Sequence, residues 1–179
     1  MTEFSKVKKV NNSERNAILS SSSVPPVISP FPKALSDGRT IELARVAIDL
    51  RREPSGVLVL ANINWSASFP SGTYTTGGWA EITFELLRDG AIICQVHQSV
   101  VQGETDGVIL PPTLTIFSIA ALHHFDTAPL NEKTGKVIYI LRATNIILVD
   151  PLGGNPVATT ANVGAVTLTA QQIEACLPK

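Results

Sequence analysis

Between Val57 and Ser68 the chain alternates, with Val57, Val59, Ala61, Ile63 and Trp65 at odd positions and Leu58, Leu60, Asn62 and Asn64 at even ones. A period of two places the odd set on one face of an extended strand, and no helix gathers residues spaced that way. The same pattern recurs along the chain. Thr40–Leu50 sets Ala44, Val46, Ile48 and Leu50 against Arg45, Asp49 and Arg51, and Glu53-Pro54-Ser55-Gly56 then turns the chain. After a Pro/Gly/Ser/Thr loop at Phe69–Gly78, the stretches Trp79–Leu87 and Ala91–Val101 flank Arg88-Asp89-Gly90. Asp-Gly between two such stretches is a strong hairpin signal. A turn at Gln102–Gly107 leads to strands at Thr113–Leu122 and Lys136–Ile147, joined by a polar connection through Asp126, Pro129, Asn131 and Gly135. A Gly/Pro-rich loop at Asp150–Asn155 precedes a last strand near Val163–Thr169. Thr169 and Gln172 have capping-box spacing, so Ala170–Ala175 is open to a helical turn as well as to a strand. Seven or eight strands with these turns predict an all-β fold, an antiparallel two-sheet sandwich of jelly-roll type.

Residues 1–35 are a different material. A Ser20–Ser23 run leads into Val24-Pro25-Pro26-Val27-Ile28-Ser29-Pro30-Phe31-Pro32. Proline fixes φ and removes backbone donors, so this piece is expected to be extended, near polyproline II. Val24, Val27, Ile28 and Phe31 give it apolar contacts with which to dock on a neighbouring subunit or on its own domain. A short helix over Glu14–Leu19, started by Ser13, is a weaker expectation. The chain thus divides into a polar, Pro/Ser-rich arm at 1–35 and a sandwich domain at 36–179.

Only 16% of residues are charged, against about 25% in an average globular chain. Much of the outer surface must then be neutral, which favours faces that meet other protein copies. In the arm five cations (Lys6, Lys8, Lys9, Arg15, Lys33) stand against Glu3 and Glu14, a balance of +3 within a net charge of −1. A solvated tail accounts for that balance, and nucleic acid is not an expected partner. Basic residues at the start are not followed by an apolar stretch, and no run reaches 18 apolar residues. The expectation is synthesis in the cytoplasm without a signal peptide, no membrane span, and assembly on a spore or particle surface. Two cysteines are too few for a disulfide framework: Cys94 reads as a small buried hydrophobe and Cys176 as an accessible thiol.

Catalytic, metal and cofactor residues are not expected. Adjacent His123 and His124 point to opposite faces of a strand, so they share no metal site unless the strand breaks, and Asp126 and His97 do not complete a ligand set. Glu81 and Glu85, with Thr83 between them, alternate with Ile82, Phe84 and Leu86 and read as a solvated face. Cys94 and His97 fall on opposite faces, and Gly153-Gly154 leads into Asn-Pro-Val rather than a helix. No Gly-x-Ser-x-Gly elbow occurs. Asn11-Asn12-Ser13 and Asn64-Trp65-Ser66 match the glycosylation pattern by chance composition. Trp65 shares its face with Val57, Val59 and Ile63 and belongs to the core, whereas Trp79, beside Gly77-Gly78, together with Tyr74 forms a candidate ligand platform.

Val57–Ser68 with its Ser-Gly-Val-Leu-Val-Leu entry, the Leu-Leu-Arg-Asp-Gly hairpin, and the closing Ala-Val-Thr-Leu-Thr-Ala-Gln-Gln-Ile carry a resemblance. The chain resembles tumour-necrosis-factor-like or complement-globular-head-like jelly rolls of bacterial spore surfaces, of the exosporium basal-layer type. The likeness implies a non-enzymatic homo-oligomer, a trimer or a higher assembly, built into a proteinaceous layer with other surface-layer proteins. Such families place aromatics at the trimer axis, and the 6% aromatic content here is low for that. The alternatives are a carbohydrate- or ligand-binding sandwich and a small viral capsid subunit.

Overall fold

A computed structural model describes residues 21–23, 32–50, 56–70, 77–103, 113–127, 135–151 and 158–173. Nine strands follow in chain order: β1 (Ser21–Ser23), β2 (Lys33–Leu35), β3 (Ile41–Asp49), β4 (Gly56–Pro70), β5 (Trp79–Arg88), β6 (Ala91–Val101), β7 (Thr113–Asp126), β8 (Lys136–Val149) and β9 (Thr160–Ile173). All pairings are antiparallel. One sheet runs β1-β9-β4-β7, with β2 also pairing β9, and the other runs β3-β8-β5-β6. Apart from the β5–β6 hairpin and the two short strands on β9, each successive strand crosses to the opposite sheet. That wiring is the jelly roll expected from the strand pattern. The expected helix at 14–19, the arm contacts Val24, Val27, Ile28 and Phe31, the platform residue Tyr74, and Cys176 lie outside the described residues.

The core is the contact between the two inner faces. From β4 it takes Val57, Val59, Ala61, Ile63, Trp65, Ala67 and Phe69, every second residue across the strand. Opposite stand Ala80, Ile82, Phe84 and Leu86 of β5 and Tyr139, Leu141 and Ala143 of β8. Trp65 meets Phe84 edge-on across the sandwich, with ring centroids 6.3 Å apart and planes at 62°, the arrangement aromatic quadrupoles favour. The β5–β6 turn has Asp89 at φ +46° and Gly90 at φ +92°. Positive φ at both central residues makes the type I′ geometry that follows the twist of the flanking strands.

Two strands change inward parity halfway, and a bulge does it each time. On β9, Ala161 and Val163 face in, then Val166, Leu168 and Ala170. Ile63 and Trp65 of β4 oppose Val166 and Val163, so β9 carries one extra residue at Gly164-Ala165, both exposed. On β8, Tyr139, Leu141 and Ala143 face in, then Ile146. There the register slips between Glu81 and Thr83 of β5, and Asn145 takes φ +47°. One extra residue re-aims the rest of the strand, so both halves reach the core. Asp37 and Gly38 cover the β8 bulge: Leu148 donates its N–H to Asp37 Oδ1 at 2.9 Å, and Gly38 N–H donates to the Ile146 carbonyl at 2.9 Å.

Two expectations need correction, and one left open is decided. Asp126 does not lie in a polar connection. β7 runs on through it, and its carboxylate is buried, accepting from Arg88 Nη1 at 2.8 Å and from the Tyr139 hydroxyl at 3.0 Å. This group ties β7 of one sheet to β5 and β8 of the other. Glu85 and Thr83 are not on a solvated face. β5 is an interior strand, so long neighbours fold over its outer side: Arg142 Nε donates to Glu85 Oε2 at 2.7 Å, and Thr83 Oγ1 lies 3.3 Å from His97 Nδ1. The chain end left open between strand and helical turn is strand as far as Ile173, because Ile173, Gln172 and Gln171 pair with Gly56, Val57 and Leu58. A ladder partner already in place satisfies backbone groups that a lone helical turn leaves open.

Burial holds the Tyr139 hydroxyl protonated well above the usual tyrosine range, and the Asp126 carboxylate adds to that. Asp126→Ala is expected to cost about 3 kcal/mol, the scale for breaking a buried ion pair, read from the urea midpoint. The Tyr139 preference for its proton is fully present below the unfolded tyrosine pKa near 10 and is lost as pH rises above it. In a Tyr74→Phe background Tyr139 is the sole tyrosine. Its phenolate absorbance is then expected to appear together with alkaline unfolding and not before. Asn145→Gly is expected to leave stability within about 0.5 kcal/mol, whereas Asn145→Val costs about 2 kcal/mol because a β-branched residue resists positive φ. Thermal melts of the two variants separate these outcomes.

Candidate interaction surface

The low charge of the sequence is not spread evenly over the molecule. β3 carries Glu42, Arg45 and Asp49, β5 carries Glu81, Glu85 and Arg88, and β8 carries Lys136 and Arg142. Across the full lengths of β4, β7 and β9, the only Asp, Glu, Lys or Arg is Asp126, which points inward. The outer face of this sheet is therefore uncharged. Its middle is polar and small, with Asn62, Asn64, Ser66 and Ser68 from β4 and Thr167, Thr169 and Gln171 from β9. Its β7 side is apolar, with Phe117 80%, Ile119 67% and Phe125 47% exposed.

The register with β4 fixes that placement. Ser118, Ala120 and Leu122 oppose Trp65, Ile63 and Ala61 and share their inward direction. Phe117 and Ile119 oppose Ser66 and Asn64 and must point out. Beside them lies a depression of about 570 Å³, lined by Pro32, Asn64, Trp65, Ser66, Phe117, Ser118, Ile119 and Gly164. Phe117 and Ile119 wall it on one side and Pro32 on the other. Small residues make the floor, and the bulge at Gly164 leaves no side chain there. The groove offers amide and hydroxyl groups below and apolar walls above, with no ionisable side chain.

The other candidates disperse. His123 and His124 lie on opposite faces of an unbroken strand, and His97 sits on the other sheet, 4.0 Å from Glu81. Among the described residues no group of three or more His, Cys, Asp or Glu is placed to hold a metal ion. Cys94 is half-buried and packs against the core, while His97 faces out beside Thr83. Trp65 is buried as expected, and its Nε1–H has no hydrogen-bond partner among the described residues.

Trp79 is 38% exposed and opposes Val101 and Val149 on the outer face of the second sheet. The adjacent glycines serve packing rather than display of the indole. A Cβ at Gly77 would stand 2.1 Å from the Gln102 carbonyl oxygen, and one at Gly78 2.7 Å from that of Val149. Gln102 is buried there and fastens three strand ends. It donates its N–H to the Gly78 carbonyl at 2.8 Å and its Nε2 to the Pro70 carbonyl at 3.1 Å. The strand pattern by itself does not single out Phe117 and Ile119. A signal for them is nonetheless present: Leu114, Ile116, Phe117 and Ile119 put apolar groups on both parities of one strand, and a strand with only one face on the core needs them on one.

No protein-family model and no curated protein matches the sequence. Solved structures of infectious bursal disease virus are among those that match the chain. The Gt strain structure matches at TM-score 0.33 and 19% identity over 88% of this chain and 35% of that one. T=1 particles derived from the virus match at TM-score 0.36 and 16% identity, over 89% of this chain and 37% of that one. A VP2 subviral particle matches at TM-score 0.34 and 17% identity, over 89% and 38%. The chain spans under half the length of each of these structures.

Proposed function

We infer that the chain is a non-enzymatic, self-associating jelly-roll subunit of a proteinaceous shell or surface layer. The observation that carries this reading is the uncharged outer face of the β4, β7 and β9 sheet with Phe117, Ile119 and Phe125 exposed along one side. Burying a Phe or Ile side chain releases about 1.5–3 kcal/mol. No charge on this face has to lose its water when it is covered, so little offsets that gain. A neutral face is also compatible with itself, whereas the second sheet would bring Glu and Arg side chains together in an order that a copy must match. Contiguous exposed apolar surface on a soluble domain marks a site of association.

A spore surface layer, an appendage and a capsid all suit such a subunit, and jelly rolls serve in shells and in lectins alike. The carbohydrate-binding reading keeps Trp79 as its anchor, a single half-exposed indole between two valines. Light scattering on a sizing column is expected to give a mass well above the 19.1 kDa of one chain. Ile119→Lys is expected to shift that species toward the monomer with an unchanged melting temperature. Ile147→Lys, on the charged sheet, is expected to leave the mass as it was. A 19.1 kDa species at all concentrations overturns the reading. Binding on a glycan array that is lost in Trp79→Ala would put the carbohydrate module in its place. Nucleic acid recovered from washed assemblies would point to a capsid.

A further inference from the structure

The four edges of the sandwich are not alike. On one side run β3 and the pair β1 and β2. β3 displays Glu42, Arg45 and Asp49, with Glu42 and Arg45 ion-paired at 2.8 Å. β2 is three residues long, begins at Lys33 and follows Pro32, and the Lys33 ammonium donates to the Glu42 carbonyl. Short strands, proline and charge are the devices that keep an edge from recruiting another strand.

On the other side run β6 and β7, and neither contains a Lys, Arg or Pro. They are 11 and 14 residues long, and Ser118 Oγ donates to Gln98 Oε1 at 3.4 Å between them. Five large hydrophobic residues are exposed on these two strands: Ile92 and Val101 on β6, and Phe117, Ile119 and Phe125 on β7. Among the described residues no strand pairs with the outer edge of β7. Along its length half of the backbone N–H and C=O groups turn toward β4, and the other half face outward. A long neutral edge with exposed apolar side chains is a template for strand addition.

We propose that the outer edge of β7 pairs antiparallel with β7 of a second copy around a two-fold axis. The inference rests on the self-association proposed above and specifies its geometry. Two features select a second copy over another partner. The strand carries no Lys, Arg or Glu, and its one Asp, Asp126, turns its carboxylate into the core, so two copies meet without like-charge repulsion. An isologous contact requires a patch that complements itself, and a neutral apolar strand does so in the antiparallel sense. Pairing continues the sheet through the axis and brings Phe117 and Ile119 of each copy beside those of the other on one face, where cross-strand pairs lie about 5 Å apart.

The test is a cysteine scan in the full chain with Cys94→Ala and Cys176→Ser. Single cysteines replace the outward residues Thr115, Phe117, Ile119, Ala121 and His123 of β7, with Asn62→Cys on β4 as a face control. Mass is measured before mild oxidation, and each variant's melting temperature shows that it folds. In antiparallel two-fold pairing the axis passes through one β7 residue. If that residue points outward it faces its own copy, and if it points inward the outward residues on either side of it face each other. The expected result is either a single self-cross-linking maximum on β7 or a heterodimer from one mixture of neighbouring outward variants, such as Phe117→Cys with Ile119→Cys. An assembly that cross-links at Asn62→Cys, or at no β7 position alone or in mixture, overturns edge pairing and leaves self-association standing. A species that stays monomeric throughout and forms no cross-link overturns both.

Discussion

The seven inward residues of β4 from Val57 to Phe69 set the frame to which every other strand conforms. β4 lies between β7 and β9, so its inner side is the middle of one wall of the core. A slip of one residue would turn that whole set to water and expose Leu58, Leu60 and the asparagines to the core. The register of β7 and β9 is therefore dictated by which of their residues can stand beside Val57, Ile63 and Trp65. Across the sandwich Phe84 is placed to meet Trp65 edge-on.

Maintaining that frame over strands of 14 residues requires concessions elsewhere. β4 and β7 keep one parity facing the core from end to end, whereas β8 and β9 each use one extra residue to bring the second half of the strand back to it. The residues at these points fit the bulges they form. Asn145 tolerates positive φ, and Gly164 and Ala165 are small enough to lie exposed without filling the groove. Buried polar contacts tie the two sheets together near the ends of strands. Arg88, Asp126 and Tyr139 close one end, and Gln102 fastens Pro70 and Gly78 at the end of β4 and the start of β5. Each places buried polar groups on partners, which is what makes their burial tolerable.

The two outer faces follow from the same arrangement with opposite results. On the second sheet the carboxylates of Glu81 and Glu85 stand beside His97 and Arg142 in neighbouring strands. The Arg142 guanidinium balances the Glu85 carboxylate within the molecule. On the outer side of β4, β7 and β9 no Asp, Glu, Lys or Arg faces out, and the exposed large apolar residues lie on β7, which among the described residues has a strand neighbour on one side only. An uncharged face and an unguarded edge fall on the same strand, and their coincidence there is the basis for assigning the association surface to it.

Periodicity alone determined that the chain is a sandwich. Alternation at Val57–Trp65, the Asp89-Gly90 turn and the spacing of Gly/Pro segments are local properties, and local sterics decide them before any strand has a partner. The core placement of Trp65 followed in the same way, since it shares parity with valines and isoleucine. The sequence also carried the shortage of charge, but not its location. Which strands stand at edges, and which lie between two others, depends on pairings between segments that are mostly roughly 40 to 150 residues apart in sequence. That is why local pattern puts Glu85 on a solvated face and Asp126 in a connection. Distant strands cover both, one over the first and two over the second. Phe117 and Ile119 become a surface only because β7 has β4 on one side and no strand on the other among the described residues. Burial is decided by neighbours in space, and only the tertiary structure supplies them.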